Sequence, residues 1–257
     1  MFSEKGVAAD MQEVWRERTA YHEIRIVETT FAEGRSGKFR LLQFADMAIQ
    51  GAIDLEAPRR VVLAYPQAIL HLIGDSQRTF QELYVIGHGI GTIPAHCEEQ
   101  GLSVKIAELD HRIASLSREW FGYNGPDVTI GDGRALLQEL KGASLDGVIV
   151  DAFSASGTPR QLITLEFFQL ARTKLRDYGI LILNLAGRRS NDRLVAAIRE
   201  TAAACYAYTE VFAPDAMPAS EVCNILIAAS DSPIRFSPAA MAGFQAIPVL
   251  PGYVIYD

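Results

Sequence analysis

The stretch Leu83-Tyr-Val-Ile-Gly-His-Gly-Ile-Gly-Thr92 constrains the fold more than any other part of the chain. Its apolar, strand-forming residues stop at Gly87, and Ile93-Pro-Ala-His-Cys-Glu-Glu-Gln100 reads as the helix that follows. Glycines at 87, 89 and 91 form the turn between them. Glycine takes up φ values that other residues resist and lets a ligand approach the main chain, while a new helix begins with unpaired N–H groups. Strand, glycine turn and helix together make a cradle for a nucleotide-like ligand. Such turns are common, so the weight of this one comes from what recurs downstream.

Strands are predicted at Val104–Leu109, Asp127–Ile130, Leu145–Val150 and Gly179–Asn184, alternating with helical stretches at 111–121, 134–141, 161–176 and 190–204. That alternation implies a parallel sheet covered on both faces. Tyr206–Phe212 and Val222–Ala229 are two further strand-like runs whose Pro-containing connection is too short for a helical crossover, so they should pair antiparallel. The expected fold is α/β: a doubly wound, mostly parallel, seven-stranded Rossmann-like sheet closed by a reversed strand, the class I methyltransferase arrangement. Upstream, Tyr21–Glu28, a Gly34/Gly37 turn, Lys38–Phe44 and Asp46–Gln50 alternate with period two and read as a small antiparallel sheet. Residues 1–18 are polar and read as a loosely helical lead-in, and a helix is expected over Val61–Ile73. The predicted division is a lead-in and β-domain over 1–56 and a catalytic domain over 57–257. Pro233, Pro238, Pro248 and Pro251 argue against a continuous helix in the tail from Ser232.

With 257 residues, 49% of them apolar and 21% charged, the chain has the composition of a globular protein. Its net charge of −7 argues against nucleic acid as the main partner, because phosphates demand a basic face. Cys97, Cys205 and Cys223 have no C-x-x-C spacing and read as reduced thiols. His96, Cys97 and His111 lack metal-ligand spacing, so no metal is expected. The start Met1-Phe-Ser-Glu-Lys-Gly has no export pattern and no apolar run approaches ~20 residues, which leaves a cytoplasmic location as the expectation.

Open parallel sheets bind ligands at the C-terminal ends of their strands, and carboxylates recur there. Glu108 closes the second strand, about twenty residues after the glycine turn, where an acid can accept hydrogen bonds from two ribose hydroxyls. Asp132-Gly133 follows the third strand and suits the edge of an adenine; Asp151 ends the fourth and points into the same crevice. Each has a plainer reading: Asp132 could cap the helix near Arg134, and Glu108 could sit in water. His88 could contact a ligand or face solvent from its turn, Tyr65 could be a core residue of its helix, and Arg188 with Arg189 could simply open a solvated helix.

Gly87-His-Gly-Ile-Gly91, Ala107-Glu-Leu-Asp110, Gly131-Asp-Gly133 and Val148-Ile-Val-Asp-Ala-Phe153 together resemble the spermidine synthase (polyamine aminopropyltransferase) family, in its spermidine-synthase-like branch. The resemblance runs from about Tyr21 to Ala229 and includes Asp46-Met-Ala-Ile-Gln50 and the Tyr65/His71 helix. It implies an adenosylsulfonium cofactor, either decarboxylated S-adenosylmethionine or S-adenosylmethionine, a small amine acceptor and a homodimer. By the same resemblance Gln50 contacts the thioadenosine, Glu108 the ribose, and Asp132 with Gly133 the adenine, on which Pro159 packs. Tyr65 and His71 match residues beside the amine, and Asp151 matches the general base. Two positions depart from the family. Ile90 and Ser154 stand where it usually carries aspartates that would hold cationic groups.

Three functions follow: aminopropyl transfer, another S-adenosylmethionine chemistry such as methyl transfer, or a non-catalytic nucleoside-binding protein. The N-terminal sheet with Gln50, Tyr65 and His71 favours the first, Ile90 favours the second, and Asp151 speaks against the third.

Overall fold

A computed structural model describes residues 10–45, 48–74, 80–154 and 157–257. Four antiparallel strands come first: β1 (Gln12–Arg18), β2 (Glu23–Ala32), β3 (Arg35–Phe44) and β4 (Ile49–Asp54), paired in chain order. Most of the expected lead-in within the described residues is therefore strand rather than helix. Charge explains the misreading: Gln12-Glu-Val-Trp-Arg-Glu-Arg18 is rich in helix-compatible Glu and Arg, yet these residues serve an exposed edge strand, where Arg16 pairs with Glu23 and Arg25 with Glu13 across the β1–β2 ladder. Charged side chains on an edge also deter pairing with a further strand. The β2–β3 turn lies at Glu33-Gly34, both with positive φ, and Gly37 falls inside β3 instead of in the turn. Asp46, part of the expected fourth strand, lies outside the described residues.

Then α1 (Ala64–Ile73) leads into β5 (Glu82–Ile86), α2 (Thr92–Glu99), β6 (Ser103–Glu108), α3 (His111–Phe121), β7 (Val128–Ile130), α4 (Gly133–Glu139) and β8 (Leu145–Val150). After a single 3-10 turn at Arg160–Leu162 come α5 (Leu165–Lys174), β9 (Leu175–Arg188), α6 (Arg193–Ala203), β10 (Tyr208–Pro214), β11 (Val222–Ser230) and β12 (Phe244–Ala246). The expected 161–176 helix is thus split, because Thr164 caps α5 by accepting from Phe167 N.

The second sheet runs β12-β10-β11-β9-β8-β5-β6-β7, parallel from β9 to β7 and antiparallel from β9 to β12. It has eight strands where seven were expected. The seven read from the sequence are present in the methyltransferase-type order, and the eighth is a three-residue addition from the tail, too short to carry a periodic signal. Period-two alternation feeds two cores: on β5, Tyr84 and Ile86 join one face while Leu83 and Val85 join the other. All six residues of β8 are buried, as a central parallel strand requires. Burying each large aliphatic side chain contributes about 1.5–3 kcal/mol.

A third cluster joins the small sheet to α3, with Ile24, Ile26 and Leu42 packed with Ile90, Ile113, Leu116 and Phe121. Polar contacts reinforce it. Thr19 Oγ1 donates to Asp110 Oδ2 at 2.5 Å, and Arg40 donates to the Trp120 carbonyl at 2.7 Å while its guanidinium lies over the Trp120 ring. Cys97, Cys205 and Cys223 are all buried and free.

Candidate active site

Strand ends β5, β6, β7 and β8 open into one cleft of about 160 Å³. Gln50, Gly87, Gly89, Glu108, Asp132, Gly133, Asp151, Ser154 and Pro159 all line it. A recess of about 10 Å³ shares Gln50, Gly87 and Asp151 with the cleft and adds Tyr65 and Ile90. Most of the residues singled out in the sequence therefore converge. His71 does not: its Nε2 accepts from Ser237 N at 2.8 Å and so fastens the tail to α1.

The glycines are needed for geometric reasons. Gly87 has φ +94°, and a Cβ there would lie 2.1 Å from the Asp151 carbonyl oxygen, so β5 and β8 meet closely only because the side chain is missing. A Cβ on Gly133 would lie 2.4 Å from Ile86 Cγ2. Gly91 has φ +83° and is the N-cap of α2, with the Tyr123 ring where a side chain would go. Gly91 supports the turn from behind, since it is absent from the cleft lining.

Glu108 is held from the main chain: His88 N donates to Oε2 and Asp110 N to Oε1, each at 2.9 Å. Burial pushes its carboxyl above the usual range, opposed by those N–H groups and that of Leu109. The carboxylate faces the cleft as an acceptor oriented by rigid backbone. Asp132 is exposed and caps α4, accepting from Ala135 N at 2.8 Å, so the capping reading and a place on the cleft wall hold together. Ser154 Oγ donates to the Gly157 carbonyl at 2.8 Å at the rim.

At the end of β8, Asp151 accepts from Tyr65 Oη at 3.2 Å on Oδ2 and from Asn184 Nδ2 at 2.8 Å on Oδ1. Burial raises its carboxyl to about 6, with the Asn184 and Tyr65 hydrogen bonds pulling the other way. Tyr65, on α1, is pushed well above its ordinary value by burial and by the Asp151 charge, and so remains a donor. Asn184 is fully buried on β9, and its Oδ1 accepts from Asn224 Nδ2 on β11 at 2.9 Å. The chain Tyr65–Asp151–Asn184–Asn224 thus spans α1, β8, β9 and β11. Neither asparagine was singled out from sequence, although the polar residue ending Gly179-Ile-Leu-Ile-Leu-Asn184 was a usable signal. Tyr21, His22 and Phe44 also line the cleft, with His22 stacked on Phe44 at 3.9 Å; only docking of the small sheet brings them there.

His88 does not face solvent from its turn. Its ring is buried against Tyr123, and Nε2 lies 2.8 Å from Ser117 Oγ, which donates to the Ala114 carbonyl and so is left to accept. Burial, and then the Arg118 charge, lower it to about 4, so the imidazole is neutral at working pH. Arg189 pairs with Asp215 and Arg188 donates to the Ser220 carbonyl, and neither lines the cleft.

The strand order, the glycine turn and the three strand-end carboxylates define the class: an α/β protein of methyltransferase type with one cleft at the ends of its parallel strands. The spermine/spermidine synthase domain matches residues 62–218, more than half of the chain, and the chain belongs to that family. Spermidine synthase 1 of Hyoscyamus niger is 27% identical over 175 residues, covering 62% of this chain and 55% of that protein. An N-terminal histidine N-methyltransferase of Emericella nidulans is 29% identical over 163 residues, 59% of this chain and 29% of the relative. The chain spans about half the length of the curated spermidine synthases it matches. The crystal structure of a probable spermidine synthase from Corynebacterium glutamicum superposes with a TM-score of 0.75 at 20% identity, covering 91% of this chain and 90% of the other, which establishes the shared fold.

Proposed function

We propose that the chain is a transferase that binds an adenosylsulfonium cofactor, decarboxylated S-adenosylmethionine or S-adenosylmethionine, and passes an aminopropyl group to a small amine with Asp151 as general base. The observation that carries this reading is the Asp151 carboxylate, raised to about 6 and held by Tyr65 and Asn184, in the same cleft as Glu108. The residues fit such a cofactor: an acceptor-only carboxylate for two ribose hydroxyls at Glu108, and cleft-lining glycines at Gly87 and Gly133, where a side chain would collide with the Asp151 carbonyl or with Ile86. Gln50, Gly89, Asp132 and Pro159 complete the nucleoside wall.

When bound, the sulfonium supplies a carbon activated for transfer. Asp151, ionised above about pH 6, can hold an acceptor ammonium and then take its proton, which frees the nitrogen lone pair. Tyr65 and Asn184 fix the carboxylate while the proton moves. The test is a pair of variants. Asp151→Asn should lower turnover at least about 100-fold while methylthioadenosine affinity stays within a few-fold, and Glu108→Gln should instead weaken methylthioadenosine binding. Unchanged turnover in the first, or unchanged affinity in the second, removes the corresponding role.

A second reading, S-adenosylmethionine-dependent methyl transfer or a related chemistry, is favoured by Ile90. Its side chain is buried against Gly51 and closes a recess with room for about one water. Among the described residues Asp151 is the one carboxylate lining that recess, so a second ammonium would find no further carboxylate among them.

A further inference from the structure

We propose that Arg134 and Asp257 form a latch through which the tail residues Ile255–Asp257 set affinity for the nucleoside without touching it. This rests on the nucleoside reading of the cleft given above.

Arg134 directly follows Gly133 on one wall of the cleft. Its Nη1 donates to the Gln161 carbonyl at 3.1 Å, and Gln161 with Leu162 lines the same cleft from a second element. One guanidinium therefore ties the β7–α4 turn to the 3-10 turn after Pro159. Asp257 holds that guanidinium in a two-pronged grip, Nη1 to Oδ1 and Nη2 to Oδ2, each at 2.6 Å.

Asp257 is itself fastened. Thr164 Oγ1, at the start of α5, donates to Oδ1 at 2.8 Å, and Asp257 N donates to Glu166 Oε2 at 2.9 Å. Arg160, next to Pro159, donates to the Tyr256 carbonyl at 2.8 Å. Ile255 is buried; its N–H donates to Thr201 Oγ1 at 3.0 Å and its carbonyl accepts from Leu165 N at 2.8 Å. Isolated surface ion pairs contribute little, but a bidentate arginine–carboxylate pair within a network is the recognised exception. Arg134, with the Thr164 hydroxyl, holds the Asp257 carboxyl down at about 2, so the latch is charged at any working pH. Without Asp257 the guanidinium is free to swing towards solvent, and the Gln161 contact that spans the two walls loses its brace. A bound nucleoside must then order the walls itself, which appears as lost affinity.

The test uses the full chain and methylthioadenosine as the probe, with calorimetric affinity and the unliganded melting temperature read in parallel. Asp257→Asn and Arg134→Gln should each weaken binding at least about fivefold, and the double variant should be no weaker than the weaker single one. Asp257→Glu should recover part of the affinity. The unliganded melting temperature of Asp257→Asn should stay within about 3 °C of the wild type, as for a surface pair. Wild-type binding with unaffected single variants overturns the latch alone, and so do additive losses that track a falling melting temperature. A wild type that does not bind methylthioadenosine overturns the nucleoside reading and the latch with it.

Discussion

Asp151 carries a conflict between stability and chemistry. Its folded-state pKa, about 6, lies above the ordinary value of an unfolded aspartate, near 3.9. The folded protein therefore binds more protons between those values. The stability tied to this group is fully present below about pH 4 and is lost as pH rises through about 6, a cost on the order of 2–3 kcal/mol at neutral pH. Turnover runs the other way, since a base must be ionised, so the rate should fall on the acid side with a midpoint near 6. Asn184 sets where that limb lies: its Nδ2 donates to the ionised carboxylate, and Asn184→Leu removes the donor. The acid limb should then move up by about one unit, the equivalent of one lost hydrogen bond. A pH–rate profile checks it, and an unmoved limb would mean that Asn184 is packing alone.

At the scale of elements, the turns that leave the sheet make the site. Gly87→Ala places a methyl against the Asp151 carbonyl, backbone against backbone, at a positive φ; it should cost about 3 kcal/mol or more and weaken nucleoside binding. Gly101 has a similar φ of +84° but open space around it, so Gly101→Ala should cost only about 1–2 kcal/mol. Chemical denaturation of the two variants separates crowding from backbone strain, and equal costs would contradict the account. The same turns were legible in the sequence because their signals are local. Gly87, Glu108, Asp132 and Asp151 each end or follow an apolar run, and α3 and β8 have the predicted bounds. Elements defined by distant partners were not legible: β1 is a charged edge strand fixed by β2, and β12 is three residues fixed by β10. Of the two readings of His88, the solvent-facing one failed because its burial depends on α3 and Tyr123 closing over the turn.

Across the whole molecule, function depends on pieces remote in sequence meeting at one edge of the large sheet. The small sheet brings Tyr21, His22, Phe44 and Gln50 to the cleft, α1 brings Tyr65, and the tail braces the rim through Asp257. The strand-end carboxylates of the cleft were readable from spacing, and the family resemblance pointed to Gln50, Tyr65 and Pro159, which line the cleft or its recess. The polar chain behind Asp151 and the tail contacts were not readable, because they join residues 33 to 166 positions apart. The two proposed chemistries differ at the recess that Asp151 shares with the buried Ile90. The most direct test is calorimetric titration of the wild-type chain with S-adenosylmethionine, its decarboxylated form and methylthioadenosine, side by side. Binding of methylthioadenosine and tighter binding of the decarboxylated form than of S-adenosylmethionine is the result expected for aminopropyl transfer. Preference for intact S-adenosylmethionine would contradict that chemistry in favour of the second reading, and no binding of any of the three would contradict the nucleoside site itself.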